Sequence, residues 1–205
     1  MMISAEVRWF WRAAPANGFK DWFLSAQVHP VPIGGGRQRT DDYLGDPGQT
    51  ELGIKARGGK PGTEVKGLVA RLPDAVPDGP FKAPGELWSK WTTNALELAS
   101  GQRLSTKKTR WLRKFDTTGS TPRELRLGED EEPIGEPRPA AGCNVELTEV
   151  LVNGQVVWTF GFEAFGDSTT VADQLRAVAR ALALRNPPAI ADAELASYPA
   201  WLARR

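Results

Sequence analysis

Histidine and cysteine are almost missing from this chain, with His29 and Cys143 the only examples in 205 residues. A single cysteine excludes an internal disulfide and any multi-cysteine metal site. The lone histidine, set between Val28 and Pro30 where a loop is expected, has no assignable partner and reads as structural rather than as a base. Excess charge of one sign is missing too, because 26 Lys plus Arg stand against 25 Asp plus Glu. No global field draws the protein to nucleic acid or a membrane, so any anion recognition must come from local clustering. There is no long apolar run at the start, where MMISAEVRWFW carries Glu6 and Arg8. Neither a signal peptide nor a membrane span is expected there, and a cytoplasmic protein with no membrane partner is the expectation. Zinc patterns, a G-x-S-x-G elbow, a dinucleotide fingerprint, internal repeats and an exposed aromatic-basic module for nucleic acid are also absent.

What the chain does have is ionisable residues at every second position of strand-like segments. Glu6 and Arg8, Lys55 and Arg57, Glu64 and Lys66, and Lys108 and Arg110 each sit two residues apart. In a strand such pairs project from one face, roughly 7 Å apart. The opposite faces carry residues such as Val7, Trp9 and Trp11, or Ile54 and Ala56. Two readings follow. The charged faces are either the solvated sides of ordinary antiparallel strands or the lining of a shared polar cavity. Periodicity identifies two faces without saying which is inside.

The length suits one large domain, and a single domain over 1–205 is expected. Residues 3–11 read as a strand. Asn17 then caps a short helix with Phe19, Trp22, Phe23 and Ala26 at helical spacing. PVPIGGGR is a connecting loop whose glycines lie near Arg37 and Arg39, without the Lys-Ser or Lys-Thr of a nucleotide loop. Segments 50–57 and 63–71 form a hairpin, followed by an irregular connection from Pro73 to Gly85. Residues 85–100 fit an amphipathic helix with Leu87, Trp88, Trp91, Ala95 and Leu98 on one stripe and Gly101 near its end. A strand over 103–115 comes next, with a second short one around Leu125, then an exposed acidic, proline-rich loop at about 129–142.

Residues 143–166 form a second hairpin turned at Asn153-Gly154. Glu146 and Thr148 share one face of its first strand. Thr159, Gly161 and Glu163 share one face of its second, opposite Trp158, Phe160 and Phe162. Helices are expected over about 169–204. The first is capped by Ser168, Thr169 or Thr170 and buries Val171, Leu175, Val178, Ala179 and Leu182, and the last ends near Pro199. The eight tryptophans suit core packing or the wall of a ligand cleft. Cys143 reads as an unreactive buried or loop thiol.

The succession of segments resembles the CYTH superfamily, the triphosphate tunnel metalloenzymes, which include one class of adenylate cyclases, thiamine triphosphatases and inorganic triphosphatases. The matching pieces are the first strand with Glu6, then RQRTDDYLGDPG, LGIKARG, TEVKGLV, KKTRWLRKF, CNVELTEV and GFEAFG, in order over nearly the whole chain. The resemblance implies an α+β fold: an antiparallel, closed or nearly closed barrel of about eight strands forming a tunnel, with flanking helices. It implies that Arg39, Lys55, Arg57, Lys66, Lys108 and Arg110 bind phosphate, and Arg8, on the same face as Glu6, joins them as a phosphate-binding candidate. Glu6, Glu146 and Glu163 would hold magnesium or manganese, and Glu6, Glu163 and Lys66 are the candidate catalytic residues.

Two departures qualify that carry-over. The family's first strand reads Glu-x-Glu-x-Lys, whereas this chain has Arg8 and Phe10 at the last two of those positions. In the last strand Gly161 stands where a second glutamate is often found. The expected function is therefore binding of a triphosphate or polyphosphate in a cationic tunnel, either with metal-dependent hydrolysis or as a non-catalytic module that has lost part of the metal site.

Overall fold

The computed structural model describes residues 2–15, 18–25, 36–45, 48–99 and 103–205. The elements, in order, are β1 (Met2–Trp11), α1 (Phe19–Ser25), β2 (Arg37–Leu44), β3 (Leu52–Arg57), β4 (Thr63–Val76), β5 (Ala83–Thr93), β6 (Arg103–Asp116), β7 (Arg123–Glu124), β8 (Gly142–Val152), β9 (Gln155–Gly166), α2 (Val171–Ala183), β10 (Glu194–Leu195) and α3 (Tyr198–Leu202). Eight of the strands close into an antiparallel barrel in the order β1-β5-β4-β3-β2-β6-β8-β9. Closure is made by β1, which pairs with β9 from Ile3–Gly166 to Trp11–Trp158 and with β5 from Met2–Lys90 to Glu6–Glu86. A ring has no free edge, so every strand of the wall is hydrogen-bonded on both sides. β7 extends β6, and β10 pairs with β1 at Trp9 and Phe10.

The main hydrophobic core lies outside the barrel. Val7, Trp9 and Trp11 of β1, Val145 and Leu147 of β8, and Phe160 and Phe162 of β9 point away from the lumen and pack against Phe19 and Phe23 of α1 and the buried stripe of α2. All five residues expected on that stripe are buried. A smaller cluster closes one part of the barrel, where Trp201 of α3 stacks on Phe10 at 4.7 Å beside Val150, Val152 and Val157. The Asn153-Gly154 turn has φ of 48° and 75°, the left-handed pair that a two-residue hairpin needs.

Several expectations are corrected. The helix expected over 85–100 is not formed by residues 85–99, because β5 runs over Ala83–Thr93 between β4 and β1, and residue 100 lies outside the described residues. Closing the ring requires this strand. Ladders on both sides outweigh a local helical pattern whose tryptophans and threonines suit a strand equally well. The supposed stripe is split between faces, with Trp88 fully buried and Trp91 41% exposed. The long irregular connection is also shorter than expected, since β4 continues through Pro73 to Val76. Pro73 and Pro84 are tolerated because the β4–β5 register shifts between Leu72 and Val76, where no ladder donor is demanded of them.

Pro199 opens α3 rather than ending a helix. Ser197 is its N-cap, and proline's missing N–H costs nothing in a first turn. Thr170 is the N-cap of α2 but makes no capping bond with its side chain; Asp167 Oδ1 instead accepts from Thr169. The acidic stretch after β7 is tethered rather than simply exposed: Leu127 bridges Pro133, Glu131 bonds Arg110, and Lys114 donates to Glu132 at 3.3 Å. Asn17, Ala26, His29, Gly34, Gly35 and Gly101 lie outside the described residues.

Candidate functional site

Alternation aims the polar face of every barrel strand inward. On β1 it carries Glu6 and Arg8, on β2 Arg39, Asp41 and Tyr43, on β3 Lys55 and Arg57, and on β4 Glu64 and Lys66. β6 adds Lys108 and Arg110, β8 adds Glu146, and β9 adds Glu163. All ten residues singled out from the sequence line one lumen cavity. Around it stand eight basic side chains and four carboxylates. Including Asp41 and Glu131, which bond into the same set, cations still outnumber carboxylates eight to six. An enclosed excess of one charge focuses its field on whatever enters.

Most of these groups pair with one another. Arg8 Nη1 lies 2.6 Å from Glu146 Oε1, Lys90 Nζ 2.7 Å from Glu163, and Lys55 Nζ 2.8 Å from Glu64. Lys66 bonds Glu6, and Arg110 reaches both Glu131 and Glu146. Lys108 lies 3.3 Å from Asp41 and donates to the Tyr43 hydroxyl at 2.6 Å. Arg57 is different: it forms no ion pair with a described residue, and its buried Nε has no hydrogen-bond partner.

Burial and pairing set the proton affinities. Burial alone would raise the Glu146 carboxyl, but Arg8 and Arg110 outweigh it and hold the group far below its ordinary value. For Glu163 burial is likewise overcome, by Lys90 and Lys66, leaving the group at about 2. Burial pushes the Lys108 ammonium well below its usual 10.5 despite Asp41, and lowers Lys55 as well. Every lumen carboxylate with a displaced pKa is thus held ionised.

The cavity volume is about 70 Å³. That is room for about five water-sized bodies, on the scale of one phosphate group. A longer anion would have to displace lysines from their carboxylates, which their flexible stems allow. A second space adjoins the lumen. Where β1 leaves β5 after Glu6 and has not yet met β10, a second cleft of about 360 Å³ opens, and Glu6 and Arg8 line both spaces. Its remaining walls include Leu72, Pro73, Pro84 and Leu195.

The residues do not fit the divalent cation that the resemblance implies. Glu146 is held by Arg8 through one oxygen and by Arg110 through the other, while Glu6 and Glu163 each hold a lysine. Among the described residues no three acidic, histidine or cysteine side chains are grouped as metal ligands.

The lumen also contains residues that sequence reasoning did not assign to a site. Lys90 was hidden in the segment with helical spacing; read as a strand, its alternation with Trp88 and Glu86 would have exposed it. Tyr43 follows Arg39 and Asp41 by the same two-residue step. Tyr198 has no sequence signal, since only the return of the C-terminal segment places its ring under Lys108 Nζ at 4.1 Å and Arg8 at 4.8 Å. Cys143 is fully buried, and burial pushes its thiol well above the usual range.

No protein-family model matches the chain, and no curated protein matches it. Among the described residues no helix is long and apolar enough to cross a membrane.

Proposed function

We propose that the barrel lumen is a binding site for a small phosphate-type polyanion, in the size range of tripolyphosphate, which it holds without turnover. The observation that carries this reading is the convergence of eight basic side chains on an enclosed cavity with fewer carboxylates, Arg57 having no ion pair among the described residues. Arginine forks and lysine ammonium groups are the donors that match phosphate oxygens. Burying such groups carries a desolvation cost that their mutual pairing only partly offsets, and an entering polyanion supplies the missing counter-charge. The resemblance to triphosphate tunnel enzymes points to the same ligand chemistry. Binding is favoured over hydrolysis because each carboxylate that would hold a cation already holds a lysine or arginine. Neither nucleic acid nor a membrane enters this reading, and the cytoplasm is its natural compartment.

Thermal unfolding with and without tripolyphosphate tests it. At a hundredfold excess over Kd a ligand confined to the folded state adds about 2.7 kcal/mol, which moves the midpoint by several degrees for a chain of this size. The expected result is that shift, with no phosphate released in magnesium or manganese. Release that disappears in Glu163→Gln would instead make the protein a hydrolase. An unchanged midpoint at millimolar tripolyphosphate would remove the polyanion site altogether.

A further inference from the structure

Two of the three positions at which this chain departs from the pattern of the family it resembles, Arg8 and Gly161, are directly paired across β1 and β9. Gly161 is also the partner of Glu146 across β8 and β9, so the three residues form one row across the lumen wall. A Cβ on Gly161 would stand 2.9 Å from Arg8 Cζ and 3.0 Å from the Val7 carbonyl oxygen. No side chain fits there while the guanidinium keeps its place. The glycine makes the room that the arginine occupies.

That guanidinium is firmly seated. It bonds Glu146 Oε1 at 2.6 Å and Thr159 Oγ1 at 3.2 Å, lies over the Tyr198 ring at 4.8 Å, and is only 7% exposed. The attraction of Glu146, Glu6 and Glu163 all falls on it. A positive charge thus already stands at the meeting point of the three carboxylates named as metal candidates. A divalent ion placed beside it would face repulsion in a poorly screened interior and would need oxygens that arginines and lysines hold.

We infer that Arg8 is a resident cation in place of a metal, and that the tunnel takes its phosphate-type ligand as the free anion, with no divalent ion. This rests on the polyanion site proposed above and adds its mode of recognition. It carries a consequence opposite to that of a metal-dependent site: magnesium, by complexing the anion in solution and reducing its charge, competes with the protein for it.

Calorimetric titration of the full chain with tripolyphosphate, in buffer stripped on a chelating resin and again with excess magnesium, separates the possibilities. The expected result is binding in stripped buffer that weakens as magnesium is added. Arg8→Gln should lower affinity in stripped buffer about tenfold or more, as loss of a charged hydrogen-bond donor requires. Gly161→Ala should lower it comparably by displacing the guanidinium. Should that variant not fold, Arg8→Gln alone decides, because its side chain is shorter and needs no extra room. Binding that appears only with magnesium, or an Arg8→Gln protein that binds like the parent in stripped buffer, overturns the inference and leaves the polyanion site standing. No binding in either buffer removes the site itself, and the inference with it.

Discussion

The two faces of strand β9 divide the work of the molecule. Outward, Trp158, Phe160 and Phe162 sit in an aromatic layer: Phe160 alone has ring neighbours in Trp9, Phe19, Phe23, Phe81 and Phe162, with centroids between 5.0 and 6.0 Å. Inward, Thr159, Gly161 and Glu163 face a lumen of paired ions. The lesson is that the barrel is held together from outside, by apolar contact with α1 and α2, while its interior is left free for charge. Buried ion pairs are weak evidence for stability, since desolvation consumes much of the Coulombic gain. The apolar layer is where stability is to be found.

The largest effect that could break this division is loss of the Phe160 side chain. Phe160→Ala should cost about 3–5 kcal/mol by denaturant unfolding, through lost transfer energy and a cavity beneath α1. Tripolyphosphate affinity per folded molecule should stay unchanged. A joint loss of affinity would mean that the two faces are coupled through the strand.

Acid comes next, because it acts on the lumen and spares the aromatic layer. Glu146 and Glu163 have folded-state pKa values below the ordinary 4.5, Glu163 at about 2. Their unfolded forms therefore take up protons first as pH falls. Stability contributed by these carboxylates is fully present above about 4.5 and is lost from there down towards 2. Each unit of displacement is worth about 1.4 kcal/mol at most. Unfolding midpoints should be flat from neutral pH to about 5 and then drop, and Glu163→Gln should flatten the lower part of the curve. A midpoint indifferent to pH down to about 3 would place these carboxylates in bulk solvent.

How much of this was legible in the sequence differs by element. The alternation in β3, β4, β6, β8 and β9 marked which side chains share a face, and Asn153-Gly154 marked its turn, because both are local properties. The inside of the barrel was not legible from periodicity, which is symmetric between faces; the resemblance chose the side, and the register agrees with that choice. β5 was misread because Leu87, Trp88 and Trp91 satisfy a helical spacing by chance, and only the need to close the ring between β4 and β1 decides against it. Tyr198 was out of reach for a third reason. It lies among irregular and very short elements, and its position over Arg8 and Lys108 exists only once β10 has paired with β1.

The finest test of the contrast lies inside the lumen, between cations such as Lys55 that are paired and Arg57, which has no ion pair among the described residues. Lys55 gives up Glu64 when it turns to a ligand, so part of its new interaction is offset by the pair it breaks. Arg57 has no such pair to break among the described residues, and its buried Nε lacks an acceptor. A donor that begins unsatisfied gains the most from an arriving oxygen. Arg57→Met, which keeps most of the apolar stem and removes the charge, should therefore lower tripolyphosphate affinity about tenfold. It should leave unfolding free energy unchanged within about 0.5 kcal/mol, or raise it, because the side chain removed makes no ion pair among the described residues and has a buried Nε without an acceptor. Lys55→Met should show a smaller loss of affinity together with a measurable loss of stability, since it strands Glu64. The reverse pattern, with Arg57→Met destabilising and binding normally, would make Arg57 part of the wall rather than of the site.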